Sequence, residues 1–220
     1  MNTNNELIKK LIHDGILKTQ LIIEAFKEID RINFVLESYK KEAYENYPLP
    51  IGFGQTISQP LTVAFMLELL NPCPGEKILE IGAGSGWLTA LLAYCVSKTN
   101  NLKHASKVIA IERIKELKEL AEKNISKYNF IKKGIVEIIL GDGSRGYFKE
   151  APYDKIIASA AAEKLPVIWK KELKIGGKIV APIHNAIEVH HKLDEDDFDV
   201  KVYKGFSFVP LVIENGSSYI

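Results

Sequence analysis

The chain has 220 residues, enough to bury a full core, and sets 29 basic against 28 acidic side chains for a formal net charge of +1. That balance argues against an electrostatic nucleic-acid binder, which carries a clustered basic excess. Cys73 and Cys95 form no CxxC, the start Met1–Glu6 has no signal-peptide core, and no apolar run approaches the roughly 18–20 residues of a membrane helix, so a cytoplasmic protein without membrane association is expected.

Two short amphipathic helices are predicted first, around Leu7–His13 and Thr19–Ile29, with Leu7, Ile8, Leu11 and Ile12 at helical spacing and Gly15 as a stop. The loop "IGFGQTISQP", Ile51 to Pro60, then carries no charge and leads into the apolar run Leu61–Leu67. Its amides and hydroxyls can bond a ligand without adding charge. From Lys77 the pattern becomes regular. Strands are predicted at Lys77–Ile81, Val108–Ile111, Ile135–Leu140, Lys155–Ala158 and, after Gly176-Gly177, Ile179–Ala181, with helices over Trp87–Val96 and Ile114–Tyr128. This alternation predicts an α/β fold: a doubly wound, mostly parallel Rossmann-like sheet with helices on both faces. Ile187–Leu193 and Phe198–Tyr203 flank the acidic Asp194–Asp197 and predict a C-terminal antiparallel hairpin. The expected organisation is an N-terminal helical cap with a substrate loop over residues 1–75, and one α/β unit over 76–220.

The stretch "ILEIGAGSGWLTALLA" is the most informative. A buried strand ends at Ile81, and Gly82, Ala83, Gly84, Ser85 and Gly86 turn directly into a helix. Glycines let the backbone approach a ligand, and the helix start adds unpaired N–H groups and positive potential. The dinucleotide fingerprint would need glycine at Trp87, and a phosphate loop would end in Gly-Lys-Ser/Thr. Gly82-x-Gly84-x-Gly86 preceded by Glu80 instead resembles the first motif of class I S-adenosylmethionine methyltransferases. Glu112, ending the second strand, can accept from ribose hydroxyls; the polar insert Lys98–Ser106 accounts for its added distance from the glycines. Asp142 in Leu140-Gly141-Asp142-Gly143 ends the third strand and can accept from the adenine amino group. The expected cofactor set is thus Glu80, Gly82, Gly84, Ser85, Gly86, Glu112, Asp142 and Gly143, binding S-adenosylmethionine.

The methyl acceptor is approached by elimination. No Asp/Asn-Pro-Pro-Tyr follows strand four, as amino-methyltransferases of nucleic acids require; Ala151-Pro152-Tyr153-Asp154 precedes it. No histidine stands at the end of the first four strands to serve as base. A carboxylate acceptor suits this, being ionised already with a reference pKa of about 4. In order along the chain, "PLPIGFGQTISQP", "ILEIGAGSGWLTA", "VIAIER", "GDGSRGY", "APYDKIIASAAA", "LKIGGKIVAPI" and "FSFVPLV" resemble the protein-L-isoaspartate O-methyltransferase family. The resemblance implies that Ser58 is catalytic, that Gln55, Thr56 and Ile57 shape the acceptor pocket, and that the substrate is the free α-carboxylate of L-isoaspartyl residues in damaged peptides and proteins.

Ser58 has a second reading, as N-cap of the helix opening near Pro60. The chain departs from the family pattern at Phe53, where many relatives have His or Tyr, and at Ile183-His184-Asn185, where the family commonly has Pro-Val-Gly and a nearby Gln. The residues His184, His190, His191, Asp194 and Asp196 are read as a solvated hairpin; no metal is expected, because adjacent histidines on a strand face opposite ways. Rival functions are a class I methyltransferase of a small carboxylate or hydroxyl compound, and a non-catalytic S-adenosylmethionine- or peptide-binding module. A monomer acting on neither nucleic acid nor membrane completes the expectation.

Overall fold

The computed structural model describes residues 1–98 and 106–213. Most of the expected polar insert Lys98–Ser106 lies outside them, as does His104. Thr3 opens the first helix, α1 (Asn4–His13), by accepting from Glu6 N at 3.2 Å. Leu7, Ile8 and Leu11 are buried there, whereas Ile12, placed on the same face by its spacing, is exposed. Helix α2 (Gln20–Glu28) buries Ile22, Ala25 and Phe26. Two 3₁₀ turns, Arg31–Phe34 and Glu37–Glu42, lead on to the uncharged stretch.

That stretch is not a simple loop. Strands β1 (Leu49–Gly52) and β2 (Gln55–Ile57) pair antiparallel around Gly52-Phe53-Gly54, all three at positive φ (94°, 54° and 70°). Glycine takes this conformation freely; Phe53 takes it at a cost. Helix α3 (Pro60–Leu70) follows, with Pro60 in its first turn.

The remaining elements are β3 (Lys77–Ile81), α4 (Trp87–Ser97), β4 (Lys107–Glu112), α5 (Lys115–Ser126), β5 (Val136–Leu140), β6 (Tyr153–Ala158), α6 (Val167–Glu172), β7 (Leu173–Ile183), β8 (Ala186–Lys192) and β9 (Phe198–Lys204); the strands, α4 and α5 follow the prediction, whereas α6 was not expected and only 3₁₀ turns join β5 to β6. One sheet has the order β5-β4-β3-β6-β7-β8-β9, with β5 to β7 parallel and β8 and β9 antiparallel. The predicted hairpin is therefore an extension of the main sheet. β7 is longer than expected: Gly176 and Gly177 lie inside it, where its register against β6 shifts between Tyr153 and Lys155, so the glycines form a bulge and not an entry turn.

From β3 the chain winds outward to β5, then returns to the other side of β3 as β6. That reversal opens a crevice beyond the strand ends, where ligands of open α/β sheets bind. Helix α4 is buried nearly all round, and Trp87, Ala90 and Leu91 share one apolar cluster with Leu7, Phe26 and Phe34 of the N-terminal region. A second cluster, with Leu79, Ile109, Tyr153, Trp169 and Ile179, covers the opposite face of the sheet. In the hairpin, His190 is buried against Glu188 (2.7 Å) while His191 is partly exposed. Among the described residues no group of three or more His, Cys, Asp or Glu is placed to hold a metal.

Candidate functional site

A cleft of about 690 Å³ lies at the carboxyl ends of β3, β4, β5 and β6. Of the expected residues, Gln55, Thr56, Ser58, Gly82, Gly84, Glu112 and Gly143 line it. Ile57, Glu80 and Ser85 line a contiguous inner recess that shares Thr56, Ser58, Gly82 and Gly84 with the cleft. Gly86 and Asp142 line neither.

The glycine turn is held from beneath by β4. Gly82 N donates to Ile111 O at 2.8 Å, and the Glu112 carboxylate accepts from Gly84 N at 2.9 Å and Ile114 N at 3.0 Å. A carboxylate offers about four acceptor positions, so Glu112 keeps capacity for hydroxyls in the cleft. Gly86, at the start of α4 with φ 91°, has another task. A Cβ there would sit 2.9 Å from Ile125 Cδ1 and 3.2 Å from Ala121 Cα, so this glycine lets α4 pack against α5. Gly143 is fixed just as strictly, since a Cβ would come within 2.4 Å of Ile81 Cγ2, and its carbonyl accepts from Trp169 Nε1 at 2.9 Å. Asp142 Oδ1 accepts from Ser144 N at 2.9 Å and Oδ2 lies 3.4 Å from Arg145 Nε, so this carboxylate organises its own turn while Gly141 and Gly143 face the cleft.

Glu80 is wholly buried, and neither carboxyl oxygen has a hydrogen-bond partner among the described residues. Burial pushes its pKa up to about 8; the nearby Thr89 hydroxyl opposes the shift without reaching bonding geometry, and the Glu112 charge adds to it. The Ser85 hydroxyl, in the same recess, is also unpartnered there. Two buried carboxyl oxygens and a hydroxyl without partners among the described residues, beside the cleft-lining glycines and the Glu112 carboxylate, fit a ligand with an ammonium group and hydroxyls, as S-adenosylmethionine has.

A second cavity, of about 750 Å³, is lined by Pro48, Thr56, Ser58, Gln59, Thr62 and Ser159 together with Ser207–Val209, and carries no charged lining residue. Thr56, Ser58, Ser159 and Val209 belong to both cavities, which places Ser58 where they meet. The helix-cap reading of Ser58 is overturned. Gln59 is the N-cap of α3 and makes no side-chain cap bond; the Asn46 side chain accepts from Leu61 N at 3.0 Å instead, and Gln59 Nε2 donates to Asn46 O at 2.9 Å. A distant residue satisfies the helix start, which spacing alone could not reveal.

Two further parts of the site lie in "APYDKIIASAAA" and "FSFVPLV", stretches that carry the resemblance but to which it assigned no role. Ser159 follows β6 at the strand end, a position that signals ligand contact in parallel sheets. Val209–Val212 form a strap over the cleft, tied by Ala161 N to Val209 O (2.8 Å) and Leu211 N to Ala161 O (2.7 Å). Ile183-His184-Asn185 lies at the β7–β8 turn, with His184 exposed at φ 52°, and lines neither cavity.

The family model for protein-L-isoaspartate(D-aspartate) O-methyltransferase (PCMT) matches residues 2–216. A protein-L-isoaspartate O-methyltransferase of Thermococcus sibiricus is 42% identical over 217 residues, covering 96% of this chain and 93% of its own. That of Methanopyrus kandleri is 39% identical, covering 96% and 91%. A crystal structure of the Plasmodium falciparum protein of that name, in complex with S-adenosyl-L-homocysteine, superposes with a TM-score of 0.85 at 27% identity, covering 96% of this chain and 99% of the other. Fold, cleft and sequence agree along nearly the whole length: the chain belongs to the protein-L-isoaspartate(D-aspartate) O-methyltransferase family.

Proposed function

We propose a division of labour within this cleft for the reaction of the family, S-adenosylmethionine-dependent methylation of L-isoaspartyl residues. S-adenosylmethionine, when bound, supplies the methyl group as the electrophilic carbon of a sulfonium. Glu80, Ser85, Glu112 and the backbone of Gly82 and Gly84 hold it; Asp142 and Gly143 shape its adenine side. Ser58 orients the acceptor α-carboxylate at the junction of the cavities, and Gln55, Thr56, Ile57 and Ser159 hold the peptide around it. No general base is needed, because a carboxylate of reference pKa about 4 arrives ionised. Positioning and exclusion of water supply the acceleration. The methyl ester is consumed when the following backbone nitrogen attacks its carbonyl and methanol leaves, giving a succinimide that water reopens partly to normal aspartyl.

The observation that carries this reading is the sharing of Thr56, Ser58 and Ser159 between the two cavities and the inner recess. The test is transfer of labelled methyl from S-adenosylmethionine to an isoaspartyl peptide and to its normal aspartyl twin. Labelling of the first alone supports the reading; equal labelling, or labelling only of small carboxylates or hydroxyl compounds, rejects the isoaspartyl assignment. The proposal extends to a cytoplasmic monomer that acts on peptides and proteins and on neither nucleic acid nor membranes. Its nearly balanced charge favours this, and among the described residues no helix is long and apolar enough to cross a membrane.

A further inference from the structure

Arg31 is fully buried, yet no described carboxylate pairs with it. Its guanidinium donates instead to backbone carbonyls: Nη1 to Ala43 O at 2.7 Å and Glu45 O at 3.4 Å, and Nη2 to Tyr47 O and Ser58 O, both at 3.1 Å, while Nε has no partner among the described residues. The Cζ atom lies 5.4 Å from the centroid of the Trp87 ring, and Trp87 opens α4 directly after the glycine turn. Burial draws its pKa down to about 10, so it is charged at neutral pH. An isolated buried charge is costly, and folds accept one where it is paired or has work to do.

What lies beyond Ser58 supplies the missing pair. The acceptor cavity has no charged lining residue, yet it has to hold a carboxylate. The Ser58 carbonyl is turned toward Arg31, and in a trans peptide the N–H of the same unit, that of Gln59, points the opposite way. Gln59 lines the acceptor cavity. The guanidinium thus fixes this peptide with its negative end inward and its positive end away from the charge. Low dielectric around the buried group lets its field reach further than it would in water.

We propose that Arg31 is a positioning residue for the acceptor: its buried charge, relayed through the Ser58–Gln59 peptide, is the counter-charge for the substrate carboxylate. Direct contact by a lysine or arginine would bind any anion in the open site. A charge one peptide behind the surface favours only an anion pressed fully against the Ser58 segment. This inference rests on the acceptor assignment proposed above.

The test compares two peptides bound in the presence of S-adenosyl-L-homocysteine: an isoaspartyl peptide, and the same peptide with the α-carboxylate replaced by a carboxamide. Wild-type protein should prefer the carboxylate by about tenfold or more, as charged hydrogen-bonding partners do. In Arg31→Met the carboxylate peptide should weaken roughly tenfold while the carboxamide peptide binds as before, and Arg31→Lys should restore most of the preference. Equal weakening of both peptides in Arg31→Met assigns the residue a structural role only and overturns the inference. A wild-type preference near one overturns it as well, without any variant, so the inference stays exposed even where Arg31→Met does not fold. Wild-type protein that binds neither peptide overturns the acceptor assignment first, and the role of Arg31 with it.

Discussion

Glu80→Gln isolates the buried carboxyl beneath the glycine turn. In the unfolded chain this group titrates at its ordinary 4.5, and in the folded protein burial raises it to about 8. The folded state therefore holds a proton that the unfolded state has lost between those values. The favourable contribution of the neutral acid is full below pH 4.5 and is lost as pH rises through 8. At about 1.36 kcal/mol per pKa unit, the loss between pH 5 and pH 8 is about 3.5 kcal/mol. Glutamine has the same shape and stays neutral, so Glu80→Gln should show no such loss. A chain of this size shifts its Tm by roughly 2–4 °C per kcal/mol, so the gap between wild type and variant should widen by about 10 °C across that range. Calorimetric scans of both proteins at pH 5, 6.5 and 8 read it directly. Groups such as Glu172, whose pKa burial also raises, contribute to both curves and cancel in the difference. Parallel Tm curves would show that Glu80 ionises normally, and its place as an unsatisfied buried acid would be refuted.

Ser58→Ala should lower turnover on isoaspartyl peptide by roughly ten- to a hundredfold, and since Asn46 and not Ser58 caps α3, Tm should stay nearly constant; a destabilised but fully active variant would contradict both statements. Glu112→Gln should weaken S-adenosyl-L-homocysteine binding about five- to a hundredfold by calorimetry, because Gly84 N and Ile114 N already occupy both oxygens and the variant leaves one acceptor oxygen fewer for the ligand hydroxyls proposed to reach it; unchanged affinity removes it from the site. Gly86→Ala combines a left-handed backbone with overpacking against Ile125 and Ala121, and should cost about 2–4 kcal/mol in chemical denaturation, where a variant as stable as wild type would refute the packing role.

The parallel core was legible because strand and helix periods differ: Lys77–Ile81 and Lys155–Ala158 read as strands and form β3 and β6, the latter starting two residues earlier at Tyr153. The β1–β2 ribbon was not, since Gly52-Phe53-Gly54 breaks the alternation that marks a hairpin, and pairing rather than composition defines those strands. Gly176-Gly177 looked like a boundary because a glycine pair marks a turn as readily as a bulge, and only the pairing with β6 tells the two apart. At the site, residues tied to local motifs could be named, but their tasks divided unexpectedly: among the glycines of one turn, Gly82 and Gly84 face the cleft while Gly86 serves packing. Arg31 was invisible, because its partners Ala43, Glu45, Tyr47 and Ser58 are 12, 14, 16 and 27 residues away and contribute only backbone carbonyls.

The strap at Val209–Val212 places a wall of the cleft after every strand of the sheet in chain order. A chain ending at Lys204 would therefore contain all seven strands of the main sheet and most of the cleft lining, and still lack that wall. Only when Val209 and Leu211 exchange their two bonds with Ala161 is the binding surface closed. Sheet and cleft thus draw on different parts of the chain: the strands end at Lys204, and one side of the cleft is built only from the residues that follow.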